Sequence, residues 1–90
     1  MALTESIEIQ NKLGLHARAA SVFVKVAQEF SSTIEVESAS GSANGKSIMS
    51  MMMLQASIGS LIKITVEGDD ENETMSAVLE LINQKFGEEV

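Results

Sequence analysis

The stretch NKLGLHARAAS, Asn11 to Ser21, holds the only histidine of a 90-residue chain, His16, and an arginine two residues later, Arg18. A neutral imidazole is a nucleophile, and an ordinary one is mostly uncharged at pH 7, its usual pKa being about 6.5. A guanidinium carries donors in a fork that matches phosphate. His16 stands where an apolar strand ends and an alanine-rich helix begins, at or next to the N-cap. The first N–H groups of a helix lack intrahelical acceptors, and with the helix dipole they attract anions. Ala17, Ala19 and Ala20 are small and are expected to leave the approach open. Arg18 in the first turn opposes the dipole, which favours cations at the other helix end. That placement points to an anion that at times fills the gap between them. The chemistry described is phosphoryl uptake on His16, with amide donors and Arg18 stabilising the dianion and its transfer transition state. The competing reading is a solvated or helix-capping histidine, because short motifs also match by chance. A metal site has less support, since the chain has no second His and no Cys.

Positioning these residues requires regular elements on both sides. Thr4 to Ile9 alternates polar and apolar residues, with Ile7 and Ile9 on one face, as in a half-buried strand. After the break at Gly14, residues 17–30 show a helical stripe of Ala20, Phe23, Val24, Ala27 and Phe30. Ile34 and Val36 mark a second strand, and the Gly/Ser-rich SASGSANG reads as a turn flanking a weak third strand near Ser42–Asn44. Residues 47–54 form a short apolar helix. Leu61 to Glu67 is a strand with Ile62, Ile64 and Val66 inward. Asp70 and Glu73 have the spacing of a capping box. Met75, Val78, Leu79, Ile82 and Phe86 then follow at helical period up to Gly87. The order βαββαβα predicts one α+β domain over residues 1–90, an open-faced sandwich whose antiparallel or mixed sheet is covered on one side.

Composition narrows the function further. A net charge of −7 with six scattered basic residues argues against nucleic acid. No Trp or Tyr is present, and the three Phe read as core. The N-terminus lacks the basic-then-apolar pattern of a signal peptide, and no apolar run reaches membrane-spanning length. The expectation is a cytoplasmic protein without membrane insertion.

The segment LGLHARAA resembles the phosphohistidine carrier family HPr and its nitrogen-branch relative NPr, small proteins of the phosphoenolpyruvate-dependent phosphotransferase system. GLHAR, Gly14 to Arg18, fits the family signature of Gly, an apolar residue and His-Ala-Arg. GKSIMSMMML, Gly45 to Leu54, resembles the family's regulatory-serine segment, and IGSLIKITVEGDDENETMSAVLELI resembles its last strand and helix. The resemblance spans roughly residues 4–87. It implies a four-stranded antiparallel sheet with three helices on one face. It also implies that His16, through Nδ1, takes a phosphoryl group from enzyme I and hands it to an enzyme II A-type component, with Arg18 as phosphate partner. Such a protein is a monomeric carrier without bound cofactor rather than an independent turnover enzyme. Ala19 replaces the family's usual Pro, which restores an amide donor and loosens the first turn.

Ser47 reads from its position as the N-cap of the short helix. The resemblance adds a second role, a phosphorylation site for HPr kinase/phosphorylase. A phosphate there adds about −1.5 to −2 charge, which repels acidic partner surfaces. Of the apolar residues that follow, Met51 and Leu54 suit burial. Ile48, Met49 and Met52 share another face and suit adaptable partner contacts, alongside Leu15, Ala19 and Ala20. A loosely packed methionine core is the plainer alternative. The acidic run Glu67 to Glu73 reads as a solvated helix start. A function of a different class remains open on the same residues: a regulatory binding module that controls partner proteins by its phosphorylation state.

Overall fold

The structure, a computed structural model, describes residues 2–90. Its elements run β1 (Leu3–Glu8), α1 (Ala17–Ala27), β2 (Thr33–Ser38), β3 (Gly41–Asn44), α2 (Ile48–Met52), β4 (Leu61–Glu67) and α3 (Glu71–Asn83). The four strands form one antiparallel sheet in the order β1-β4-β2-β3. Residues directly opposite one another share a face. Thus Ile34, Val36, Ala43, Ile62, Ile64 and Val66 line the inner side and are all buried. The outer side carries Thr4, Ser6, Glu35, Lys63 and Thr65 in matching register. Phe23 and Ala27 of α1, Met51 of α2, and Met75, Val78 and Ile82 of α3 close over the inner side. Burial of each such Ile, Val, Met or Phe contributes about 1.5–3 kcal/mol. The α+β sandwich with one open sheet face and three helices is the architecture expected from the alternation of periods.

Helix ends depart from expectation for identifiable reasons. α1 stops at Ala27 rather than Phe30, because Glu29 and Phe30 donate to carbonyls three residues back, tightening the last turn. The Lys46 ammonium takes the freed Phe30 carbonyl at 2.7 Å. α2 is confined to five residues, with Leu54 and Gln55 bonded in the same tightened way. α3 ends at Asn83, and Phe86 is not part of it. The chain instead turns left-handed through Lys85 (φ 58°), Phe86 (φ 57°) and Gly87 (φ 83°) and tucks Phe86 back into the core.

The capping box is also corrected. Asp70 is the N-cap of α3, but its carboxylate makes no capping bond to the first turn of that helix. Its oxygens accept from the Ser31 and Ser32 amides, both at 2.9 Å, and from the hydroxyls of Ser32 and Thr74. The connection between α1 and β2 is therefore tied to the start of α3. The Ser32 hydroxyl and the Ser31 amide, opposed by partial burial and helped by the Ser32 amide and Thr74, hold the Asp70 carboxyl far below its ordinary range. A depressed carboxyl stabilises the fold above its unfolded value of about 3.9 and loses that contribution as pH falls below it. Urea denaturation is accordingly expected to show stability falling from pH 5 to pH 2, with a shallower fall and lower neutral-pH stability in Asp70→Asn.

Candidate functional site at the start of the first helix

His16 is the N-cap of α1, with extended backbone (φ −85°, ψ −179°) and a side chain that makes no capping bond. Ala20 donates to the His16 carbonyl at 2.8 Å, the first bond of the helix. The amides of Ala17, Arg18 and Ala19 have no acceptor among the described residues. The imidazole is 29% exposed. Its Nε2 lies 2.6 Å from Oε2 of Glu88, and its Nδ1 has no partner among the described residues. The expected helix-start imidazole is present, but one of its nitrogens is occupied.

Glu88 was missed by sequence reading, and so was Asn11, which holds it. Asn11 is completely buried, and its Nδ2 donates both to the Gly14 carbonyl (2.8 Å) and to Oε1 of Glu88 (2.9 Å). Burial raises the Glu88 carboxyl, but the hydrogen bonds from Asn11 and His16 and the charges of His16 and Arg18 outweigh it, and the net shift is downward. Glu88 is therefore an ionised acceptor at neutral pH. A second tie, Lys12 N–H to the Val90 carbonyl at 2.8 Å, fastens the chain beyond Glu88 to the same loop. Asn11 with Gly14 carries a turn signature. Nothing local marks Glu88, because its arrival depends on the left-handed return at residues 85–87.

The loop is held from its other side as well. Leu15 N–H donates to the Ala56 carbonyl at 2.8 Å, and Gly14 adopts φ +68° against the same carbonyl. Leu15, Ala19 and Ala20 are 4%, 0% and 0% exposed. Their expected role in partner contact is thereby corrected, since all three face the core and cannot meet a partner surface. Nor do Ala19 and Ala20 open the approach; of the three alanines only Ala17 is exposed. Arg18 is exposed in the first turn and forms no hydrogen bond or ion pair with a described residue. Its cationic head is uncommitted.

Ser47 is half-buried at the N-cap of α2, where its Oγ accepts from the Ser50 amide at 3.3 Å. The methionine segment divides as its spacing suggests. Met51 and Leu54 are buried, whereas Ile48 (42%), Met49 (77%) and Met52 (42%) are exposed. Met53, assigned to neither face in advance, is 78% exposed and extends this apolar surface. α1 and α2 pack against each other, so that surface belongs to the helical side of the molecule. Among the described residues no group of three or more His, Cys, Asp or Glu side chains is placed to hold a metal ion. No described helix is long and apolar enough to cross a membrane.

Comparison with known proteins identifies what the chain resembles as a whole. The family described as "PTS HPr component phosphorylation site" matches residues 3–84. Phosphocarrier protein HPr of Neisseria meningitidis serogroup A is 50% identical over 86 residues, 96% of this chain and 97% of its own. Among solved structures, HPr-C-His from Thermoanaerobacter tengcongensis superposes with a TM-score of 0.92 at 50% identity, covering 98% of this chain and 99% of that one. A phosphocarrier protein HPr from Bacillus anthracis gives 0.85 at 36% identity, covering 90% and 96%.

The packing of the loop generates an expectation of its own. A Cβ on Gly14 would lie 2.5 Å from the Ala56 oxygen, on a backbone conformation L-residues rarely adopt. Gly14→Ala is expected to destabilise the protein by at least about 2 kcal/mol in urea denaturation, and to disturb the His16 ring resonances. A neutral substitution there would mean that the loop is not held in this way.

Proposed function

The chain belongs to the HPr family of phosphocarriers of the phosphotransferase system, and from that premise we propose that His16 is its phosphoryl acceptor. The observation that carries this reading is a partly exposed imidazole at a helix start, one nitrogen tied to a carboxylate and the other unpartnered. The Nδ1 lone pair attacks phosphorus while the donor's bond to that phosphorus breaks, its electrons leaving with the donor. The three equatorial oxygens gather charge in that step and need donors. A group carried on the N-cap side chain is placed to meet the amides of the second and third helical residues, here Arg18 and Ala19. Ala19, standing where the resemblance has proline, supplies a donor that an imino acid lacks. The uncommitted Arg18 guanidinium completes the dianion's neutralisation and releases it at transfer.

Enzyme I is the donor and an enzyme II A-type component the acceptor in this proposal, with the whole chain acting as one monomeric, cytoplasmic domain. Ile48, Met49 and Met52 form the contact surface, to which Met53 is added. Methionine's flexible, polarisable side chain suits a surface that meets more than one partner. Ser47, at the head of that surface, favours a regulatory role beside the carrier role. HPr kinase/phosphorylase would place about −1.5 to −2 charge next to Ile48 and Met49 and thereby weaken docking.

With enzyme I and phosphoenolpyruvate, the protein is expected to acquire an acid-labile, base-stable phosphate that His16→Ala abolishes. Labelling that survives this substitution would reject the assignment. Arg18→Ala is expected to retain labelling but slow transfer by about tenfold or more.

A separate measurement addresses regulation. Incubation with the kinase and ATP should give a stable phosphoester absent from Ser47→Ala, and the modified protein should accept phosphate from enzyme I about tenfold more slowly. An unmodified protein after that incubation would remove Ser47 from the mechanism.

A further inference from the structure

Resting on the carrier reading of His16, we propose that Glu88 is a positioning residue of the phosphoryl site. Clamped by buried Asn11, its carboxylate holds the Nε2 proton of His16 and thereby presents Nδ1 as the bare nucleophile.

The hydrogen-bond inventory permits one arrangement. An ionised carboxylate only accepts, so Nε2, at 2.6 Å from Oε2, is the donor. In a neutral imidazole the other nitrogen then carries the lone pair. Asn11 is equally constrained. Its amide nitrogen faces two acceptors, the Gly14 carbonyl and Oε1 of Glu88, and a flipped amide would set an oxygen against both. Both Asn11 donors are therefore spent on aiming this contact. Its Oδ1 is buried without a partner among the described residues, an arrangement that opposes folding. A side chain present for packing alone would avoid that cost. What Asn11 gains in return is a fixed Glu88.

The contact acts during transfer as well as before it. As the N–P bond forms, the ring becomes positively charged while keeping its Nε2 proton. The Glu88 carboxylate, only 13% exposed, neutralises that charge where water screens weakly. When the phosphoryl group departs, the N–P electrons return to Nδ1, and the ring is neutral again with the same proton on the same nitrogen. No proton changes hands, so Glu88 acts through orientation and charge and not as a base.

Two substitutions separate this role from simple structural support. Glu88→Ala removes the contact and frees both ring tautomers. Glu88→Gln is the sharper case. Asn11 still requires an acceptor, so the glutamine oxygen turns to Asn11 and its amide nitrogen faces His16. Nε2 must then accept, which moves the proton to Nδ1 and blocks the nucleophile. Ring-nitrogen NMR of the neutral protein should show the proton on Nε2 in wild type, on both nitrogens in Glu88→Ala, and on Nδ1 in Glu88→Gln. With potassium phosphoramidate as a partner-free donor, acceptance at His16 should fall by about 10-fold in the alanine variant and about 100-fold in the glutamine variant.

Loss of structural support predicts the reverse ranking, because glutamine is the closer mimic of glutamate. Backbone amide spectra verify that both variants are folded. A wild-type ring protonated on Nδ1, or a glutamine variant that outperforms the alanine variant, would overturn the proposal. Failure of the wild type to take phosphate from any donor would sink the carrier reading, while the ring spectra still judge Glu88.

Discussion

The turn from Asn11 to Leu15 is gripped from two directions, and the site exists because both grips are made together. On one side Gly14 and Leu15 lie against the Ala56 carbonyl in the loop before β4. On the other, Asn11 reaches the carboxylate of Glu88. The first grip determines where α1 begins, and with it the position of the amides of Ala17, Arg18 and Ala19. The second brings a negative group to the far side of the imidazole. Releasing either would leave His16 in the sequence but no longer a defined functional group, since an exposed side chain samples several rotamers.

The stability behind this arrangement comes from elsewhere. Ile34, Val36, Ile62, Ile64 and Val66 of the sheet, with Phe23, Met51, Val78 and Ile82 of the helices, bury the apolar surface. The site itself is polar and contains a buried oxygen without a partner among the described residues, a feature that opposes folding. This division is the usual one in small domains: a packed layer supplies free energy, and a locally unfavourable constellation uses part of it. The apolar surface of Ile48, Met49, Met52 and Met53 follows the same logic. These side chains would add to the core if they faced inward, but a five-residue helix has room to bury only one of its residues, Met51.

Periodicity was sufficient to read the architecture. Alternation marked β2 and β4, and the stripe from Ala20 to Phe30 marked α1, although the helix itself stops at Ala27. The split of Met51 and Leu54 from Ile48, Met49 and Met52 followed from spacing alone. His16 at a helix start was legible because N-cap positions follow from where a stripe begins. What escaped was everything set by tertiary approach. The spacing of Asp70 and Glu73 suggested a local capping box, but the seryl amides of the α1–β2 connection compete for that carboxylate and win it. Leu15, Ala19 and Ala20 were expected to contact partners, although all three are buried and Ala20 already lay on the apolar stripe. Glu88 carries no local signal at all. Its partner lies 72 residues away in the chain, and the path between them depends on three consecutive left-handed residues.

That separation has a kinetic corollary. β1 pairs only with β4, and the imidazole meets its carboxylate only once the last residues have turned back. Contacts between such remote segments are slow to close, because the loop entropy is lost before the contact forms. A polypeptide still emerging from the ribosome, or one clipped after α3, carries the histidine without its setting. The setting of the imidazole is thus completed late in folding, when the segment after α3 reaches the turn from Asn11 to Leu15.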